Sequence, residues 1–266
     1  MRIRKQVVFL VIVLIGFTGK LRAQTWEIGG TVGESGYVGD LNPNNPLKLT
    51  DIGGGGFLKR NFNNYLSLKA SYTYATIQGN DNTSSNPQLY ARNLSFSTSL
   101  SELSLVAEFN FMDYIPEIGR TKYTPFIFVG FGSVAYNPTA IYKGVSYELR
   151  PLMTEGQAKP YGDRAWVVPY GAGIKFNFTG QWNFIVDLGY RTANTGYLDD
   201  VYGNYADKNV MTNAVAKALS DRSGELTGTY IGSPGSQRGN YNHDSYMVLG
   251  FTVSFTFLTQ NCYRFN

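Results

Sequence analysis

The sequence predicts an all-β fold: an eight-stranded antiparallel transmembrane β-barrel of the outer-membrane type, with long extracellular loops and a short helix in the last one. Three observations predict it. From Tyr246 to Phe257, Met247, Leu249, Phe251, Val253, Phe255 and Phe257 alternate with Tyr246, Val248, Gly250, Thr252, Ser254 and Thr256, so that one face is large and apolar and the other mostly small and polar. Segments of this kind recur eight times along the chain. The connectors between them alternate long and short, as they do in barrels that put turns on one side of a membrane and loops on the other. A soluble barrel would fill its interior with the large residues and would need no such asymmetry.

Residues 1–23 read as a cleaved signal peptide, and 24–266 as one barrel domain. Arg2, Arg4 and Lys5 precede a short apolar run, Val7 to Phe17, and Leu21-Arg22-Ala23 offers a cleavage site. The run is too short to cross a bilayer as a helix.

The first strand is expected over Thr25–Tyr37, with Trp26, Ile28 and Val32 on one parity. The second is expected over Thr50–Arg60, through Gly53-Gly54-Gly55-Gly56. The third is Tyr65–Ile77, where Leu66, Leu68, Ala70, Tyr72 and Tyr74 oppose Ser67, Lys69, Ser71 and Thr73. In the fourth, Asn93–Met112, the apolar parity changes from Leu94, Phe96 and Leu100 to Leu103, Leu105, Phe109 and Phe111, which predicts a β-bulge near Ser101-Glu102. The fifth, Tyr123–Tyr136, alternates poorly. The sixth, Trp166–Phe178, and the seventh, Trp182–Arg191, alternate well, and Tyr246–Phe257 is the eighth. The long connectors are 40–49, 78–92, 137–165 and 192–244; the short ones are 61–64, 113–122 and 179–181. In the last long loop Val210, Ala214, Val215, Ala218 and Leu219 have helical spacing, so a helix is expected within Tyr205–Asp221, capped by Asp207.

Charge argues against nucleic-acid binding. Five of the 23 basic residues lie in the first 23 positions, leaving 18 against 19 acidic ones. Cys262 is the only cysteine, so no intrachain disulfide can form, which suits a barrel held by its closed ladder. Aromatic residues are 15% of the chain, as membrane-interface girdles require.

Alternation sends Glu27, Lys69, Glu108, Lys175, Asp187 and Arg191 inward. Eight strands leave an interior that side chains fill, so mixed charges there imply a paired network rather than an ion path. Gly53 to Gly56 lack the Gly-Lys-Ser/Thr sequence of a phosphate loop and read as close packing or sharp curvature in a strand. His243, the only histidine, has Asp244 and Ser245 beside it in sequence, but strand neighbours point to opposite faces, so no catalytic residue is assigned. Asp199, Asp200 and Asp207 with Asn204 do not match a calcium loop and read as turn and cap chemistry. No metal or cofactor is expected.

Several segments together resemble the PorG-like family of small outer-membrane barrels of the Bacteroidota type IX secretion system. They are Gly36-Tyr37-Val38-Gly39-Asp40-Leu41-Asn42, Arg92-Asn93-Leu94-Ser95-Phe96, Glu102-Leu103-Ser104-Leu105 with Glu108-Phe109-Asn110-Phe111, and Tyr123-Thr124-Pro125-Phe126-Ile127-Phe128. The most specific is Tyr197-Leu198-Asp199-Asp200-Val201, followed by Gly203-Asn204-Tyr205; Arg238-Gly239-Asn240 and Asp244-Ser245-Tyr246 come next, and the end Asn261-Cys262-Tyr263-Arg264-Phe265 is similar to the family's Cys-Pro-x-Phe tail. Gly196 stands where the family often has Asp, and Tyr263 replaces the tail proline.

The resemblance implies a non-enzymatic barrel embedded in outer-membrane lipids. It would anchor a periplasmic ring of PorK-like lipoproteins and PorN-like proteins through its periplasmic face: Asn61, Asn63, Asn64, Gly180, Gln181, and Cys262, Arg264 and Phe265 of the tail. The alternatives are a stand-alone OmpA/OmpX-like surface barrel for adhesion or envelope integrity, and a lipid-modifying barrel enzyme using His243.

Overall fold

Eight long strands close on one another through antiparallel ladders. The computed structural model describes residues 25–116 and 121–257, so the expected signal peptide, 1–23, and the tail residues Cys262, Arg264 and Phe265 lie outside the described residues. The strands are β1 (Thr25–Val38), β2 (Leu49–Asn61), β3 (Leu66–Asn80), β4 (Ser95–Asn110), β5 (Tyr123–Tyr142), the short β6 (Val145–Glu148), β7 (Arg164–Thr179), β8 (Trp182–Ala193) and β9 (Ser245–Phe257). The first and last strands pair along their whole length, from Trp26 with Phe257 to Val38 with Ser245. The β4–β5 pairing completes the ring, and β6 is a hairpin extension on the end of β5. No strand of the ring is left with an unpaired edge, which is the condition for putting backbone into a bilayer.

The outward residues form an apolar band. On β4 it contains Leu103, Leu105 and Phe109; on β5, Ile127, Val129 and Phe131; on β7, Trp166, Val168, Tyr170, Ile174, Phe176 and Phe178. Large apolar side chains exposed on every face of a closed barrel have lipid as their solvent. At the loop end the band stops at one step on each strand, where Ser101 follows Leu103, Ser133 follows Phe131 and Arg164 follows Trp166.

The structure corrects four expectations. No bulge occurs at Ser101-Glu102: β4 pairs with β3 and β5 in unbroken register, and its inward parity holds from Phe96 to Asn110. The apparent flip is a change of surroundings. Above the membrane band the outside of β4 is Ser95, Ser97 and Ser99 and the inside is Phe96 and Leu100; within the band the polarity is reversed. The helix in the last loop is confined to Ala214–Ser220 and is capped by Asn213, whose side chain accepts from Val215 N and Ala216 N, while Asp207 caps only a turn at Asn209. Several elements are additional: β6, a helix at Pro87–Arg92 with Asn86 as its cap and proline in its first turn, a helical turn at Gly224–Thr227, and short 3-10 turns at Asp81–Thr83 and Arg150–Leu152. Finally, β5 runs six residues past its expected end at Tyr136. It alternates poorly because Phe126 and Phe128 face the lumen while Ile127, Val129 and Phe131 face out.

Candidate functional site

The barrel interior is layered. In its middle layer Glu108 of β4 gathers three lysines: Lys69 at 2.7 Å, Lys175 at 2.7 Å and Lys59 at 3.4 Å. Lys59 also reaches Glu27 at 2.9 Å, whose other oxygen accepts from Ser254 Oγ at 2.7 Å. Lys175 Nζ donates to Asn110 Oδ1 as well, and stands 4.4 Å from the Phe126 ring centroid. One layer up, Arg191 Nε and the Tyr246 hydroxyl both donate to Glu102 Oε2, at 3.2 and 2.8 Å. Between the two groups Asp187 lines a cavity of about 40 Å³ with Lys69 and Arg191.

All six lumen residues expected from alternation are there. Two more were missed, Lys59 and Glu102. With them the lumen holds four cations (Lys59, Lys69, Lys175, Arg191) and four carboxylates (Glu27, Glu102, Glu108, Asp187), so the buried charge sums to zero. Neutrality and mutual pairing are what allow these groups to leave water. Both ends of this layer are stoppered. At the turn end Tyr114 is buried and its hydroxyl donates to Asn183 Oδ1 at 2.6 Å; at the loop end lies an apolar core including Ile77, Leu100, Val134, Val167 and Leu198.

The long loops fold over that core as a cap, with Tyr197–Val201 at its centre. Leu198 and Val201 are buried in the core, and Asp200 takes a left-handed backbone, φ 67°, that turns the motif over. Thr98 of β4 donates to the Leu198 carbonyl at 2.6 Å, which fastens the motif to the wall. Asp199 accepts from the Tyr37 hydroxyl at 2.5 Å and from Val201 N at 2.8 Å. Asp200 accepts from Thr154 Oγ1 and from the Tyr161 hydroxyl, and the Tyr161 ring stacks 4.3 Å from Tyr197. Arg238 donates to the Asp200 carbonyl and to Glu155, and Glu155 accepts the Tyr202 and Gly203 N–H groups. Arg92 grips Asp81 with two donors and also reaches the carbonyls of Asp40 and Arg238. Motif segments that lie far apart in the chain, around Tyr37–Asp40, Arg92, Tyr197–Val201, Arg238 and Asp244, therefore meet in one structure.

Asp199 leaves Asp200 and Asp207 and joins Asp40 and Asp244 instead; one carboxylate oxygen from each lies within 4.8 Å of the others, all buried. Burial, then the mutual repulsion of the three, holds Asp199 well above the usual carboxylate range. Asp244 is also held well above it, chiefly by burial, against the Leu198 N–H that lowers it. Burial raises Asp200 to about 6, against the pull of Arg238. The three clustered carboxylates are already served by protein donors: Tyr37, Val201 N, Leu198 N, Asn240 N and Tyr241 N.

His243 is exposed beside the cap, and Ser245 bonds to Thr192 rather than to the histidine. Gly53 to Gly56 lie in the β2 ladders, where a Cβ on Gly55 would overlap the Tyr72 carbonyl, as a close strand approach requires. At the turn end, the Asn63 side chain accepts from Tyr65 N and Leu66 N, Asn64 donates to Asp113, and Gly180 supplies φ 48° for the two-residue turn with Gln181. Asn61 points into the barrel toward Thr25 and Glu27.

Residues 5–214 match the family described as a domain of unknown function (DUF6089), and the chain belongs to that family. A comparison with curated proteins finds no match. Among solved structures the fold is similar to Neisserial surface protein A (NspA), at 9% identity over 87% of this chain and 97% of that one, TM-score 0.43. It is also similar to the outer membrane protein OprG from Pseudomonas aeruginosa, at 10% identity over 89% and 97%, TM-score 0.39. The N-terminal β-barrel domain of Pseudomonas aeruginosa OprF matches at 15% identity over 88% and 97%, TM-score 0.37.

Proposed function

We propose that the protein is an outer-membrane barrel that conducts nothing and works as an anchor, as the outer-membrane component of a type IX secretion system that holds the periplasmic ring. The observation that carries the non-conducting part is the lumen: eight side chains of balanced charge, seven of them joined in ion pairs and Asp187 facing Lys69 and Arg191 across a small cavity, stoppered at both ends. A barrel of this size with a filled interior acts through its surfaces. The resemblance of the Gly36–Asn42, Arg92–Phe96, Tyr197–Val201 and Arg238–Asn240 segments to PorG-like barrels supports the secretion role. In this orientation the turn end, with both barrel termini, faces the periplasm and offers Asn63, Asn64, Gly180 and Gln181 to PorK-like and PorN-like partners. Asn61 serves the lumen.

The test is a clean deletion in the native host, complemented in trans, with secreted proteins quantified. Retention of type IX cargo in the periplasm supports the anchor, and photo-cross-links from Asn63 and Gln181 to ring proteins would locate it. Unchanged secretion would instead favour a stand-alone surface barrel, a reading that draws on the exposed Val210, Leu226, Tyr230 and Ile231 of the cap. For the enzyme reading, the matching measurement is loss of lipid modification on His243→Ala.

A further inference from the structure

The upper rim of the apolar band carries a groove on the lipid-facing side of β4, β5 and β7, with a volume of about 410 Å³. Its floor is made of small side chains: Ser99 and Ser101 on β4 and Ala135 on β5. Its walls carry Arg164 at the start of β7 and Arg150 from the segment after β6, together with Glu148 and Asp163. The floor is continuous because Ser101 pairs with Ala135 and Ala135 pairs with Arg164. Above that point β7 has ended, and β6 takes over the pairing of β5 only at Thr139. The groove fills the interval between the two ladders.

The height of the groove decides its chemistry. Trp166, stacked 4.9 Å from Phe131, marks the aromatic girdle. Girdle rings sit at the membrane–water interface. Arg164 is one outward step above Trp166, about 7 Å along the strand and about 5 Å along the membrane normal at the usual tilt. That is the level of lipid phosphates. Among the described residues the Arg164 guanidinium has no ion pair or hydrogen bond within the protein, and the Arg150 guanidinium has no ion pair and a single long hydrogen bond, to the Tyr161 carbonyl at 3.5 Å. By contrast, the Arg92, Arg191 and Arg238 guanidiniums are each paired with a carboxylate.

We propose that this groove binds the phosphate of a membrane lipid headgroup, with the two guanidiniums taking the phosphate oxygens and the serine hydroxyls adding donors. A guanidinium fork matches the spacing of phosphate oxygens. The two carboxylates give the groove a second, anionic half. That half accepts the ammonium of a zwitterionic phospholipid or a divalent cation shared with a lipid A phosphate, so both lipids offer the same recognised group. The proposal rests on the membrane placement of the barrel and is independent of any role in secretion.

The experiment is native mass spectrometry of the detergent-solubilised barrel titrated separately with diphosphorylated lipid A, phosphatidylethanolamine and phosphate-free diacylglycerol. Wild type and an Arg150→Gln/Arg164→Gln variant are compared, each first shown to be folded by heat-modifiable migration on gels. The expected result is one retained phospholipid on the wild type, preferred over diacylglycerol, and affinity lower by about tenfold or more in the variant. Lipid A alone showing the effect identifies a lipid A phosphate as the source, and phosphatidylethanolamine alone identifies a zwitterionic phospholipid. Should the folded wild type bind all three equally or none, or the folded variant bind as wild type does, the site is refuted. A barrel that shows no heat-modifiable form would overturn the membrane placement itself.

Discussion

Glu108 is the residue on which the lumen network turns, and its replacement by glutamine tests that network directly. Its side chain is 1% exposed and is the shared partner of Lys69, Lys59 and Lys175. In Glu108→Gln the shape is kept while one of four buried negative charges is removed, so the lumen carries a net positive charge. Lys59 keeps Glu27, but Lys69 and Lys175 lose the only carboxylate that lies within ion-pair distance of them among the described residues. Removing one partner of a buried pair costs about 3–5 kcal/mol, because the other charge is left without compensation. A loss in that range is expected, measured as a shift in reversible urea unfolding of the barrel in detergent micelles or vesicles. Adding Lys175→Met to the same chain restores neutrality and should recover about 0.5–3 kcal/mol, the usual coupling between contacting residues. If Glu108→Gln unfolds within about 1 kcal/mol of wild type, the lumen charges are solvated rather than paired and the argument for a closed interior fails.

Three other outcomes are expected. Gly33→Ala should sharply reduce folding yield, because a Cβ there overlaps the Leu249 carbonyl in the seam between β1 and β9, whereas Gly30→Ala, with its nearest atom 3.9 Å away, should fold as wild type does. Burial raises Asp200 to about 6 from the ordinary aspartate value near 3.8, so its contribution to the cap is fully present below about pH 4 and is lost as pH rises through about 6; hydrogen exchange of residues 196–205 should quicken over that window, and Asp200→Asn should flatten the dependence. Arg238→Ala, which leaves Glu155 buried without its cation, should destabilise the cap by about 3–5 kcal/mol and open it to proteolysis while the strands stay heat-modifiable.

Much of the fold was legible in the sequence because a membrane barrel writes one rule on every strand: lipid on one parity, small or polar groups on the other. β7 and β9 obey it through the membrane band, and the alternation gives their bounds to within two residues. The rule misled where the surroundings changed along a strand. On β4 the inside is apolar beneath the cap and charged within the band, so a straight strand looked bulged and Glu102 was assigned to no face. On β2 the four glycines erase the alternation just ahead of Lys59 and Arg60. Nothing in the sequence distinguished the lysine that enters the lumen from the arginine that lies 4.7 Å from the Trp26 ring outside.

The cap was legible only as motifs. Tyr197–Val201 drew attention as a string, but its physical reason lies in partners from elsewhere in the chain: Tyr37 at the end of β1, Thr98 on β4, Thr154 and Tyr161 in the loop after β6, and Arg238 in the last loop. Periodicity cannot reveal such contacts, because no repeat relates residues that meet only when four loops fold together. The motif is consequently a structural keystone. Its two aspartates are buried and taken up by donors of this same chain, so they are poor candidates for contacting a partner. A partner must instead use what the barrel leaves exposed: the turns at one end, the outer surface of the cap at the other, or the charged groove at the membrane rim.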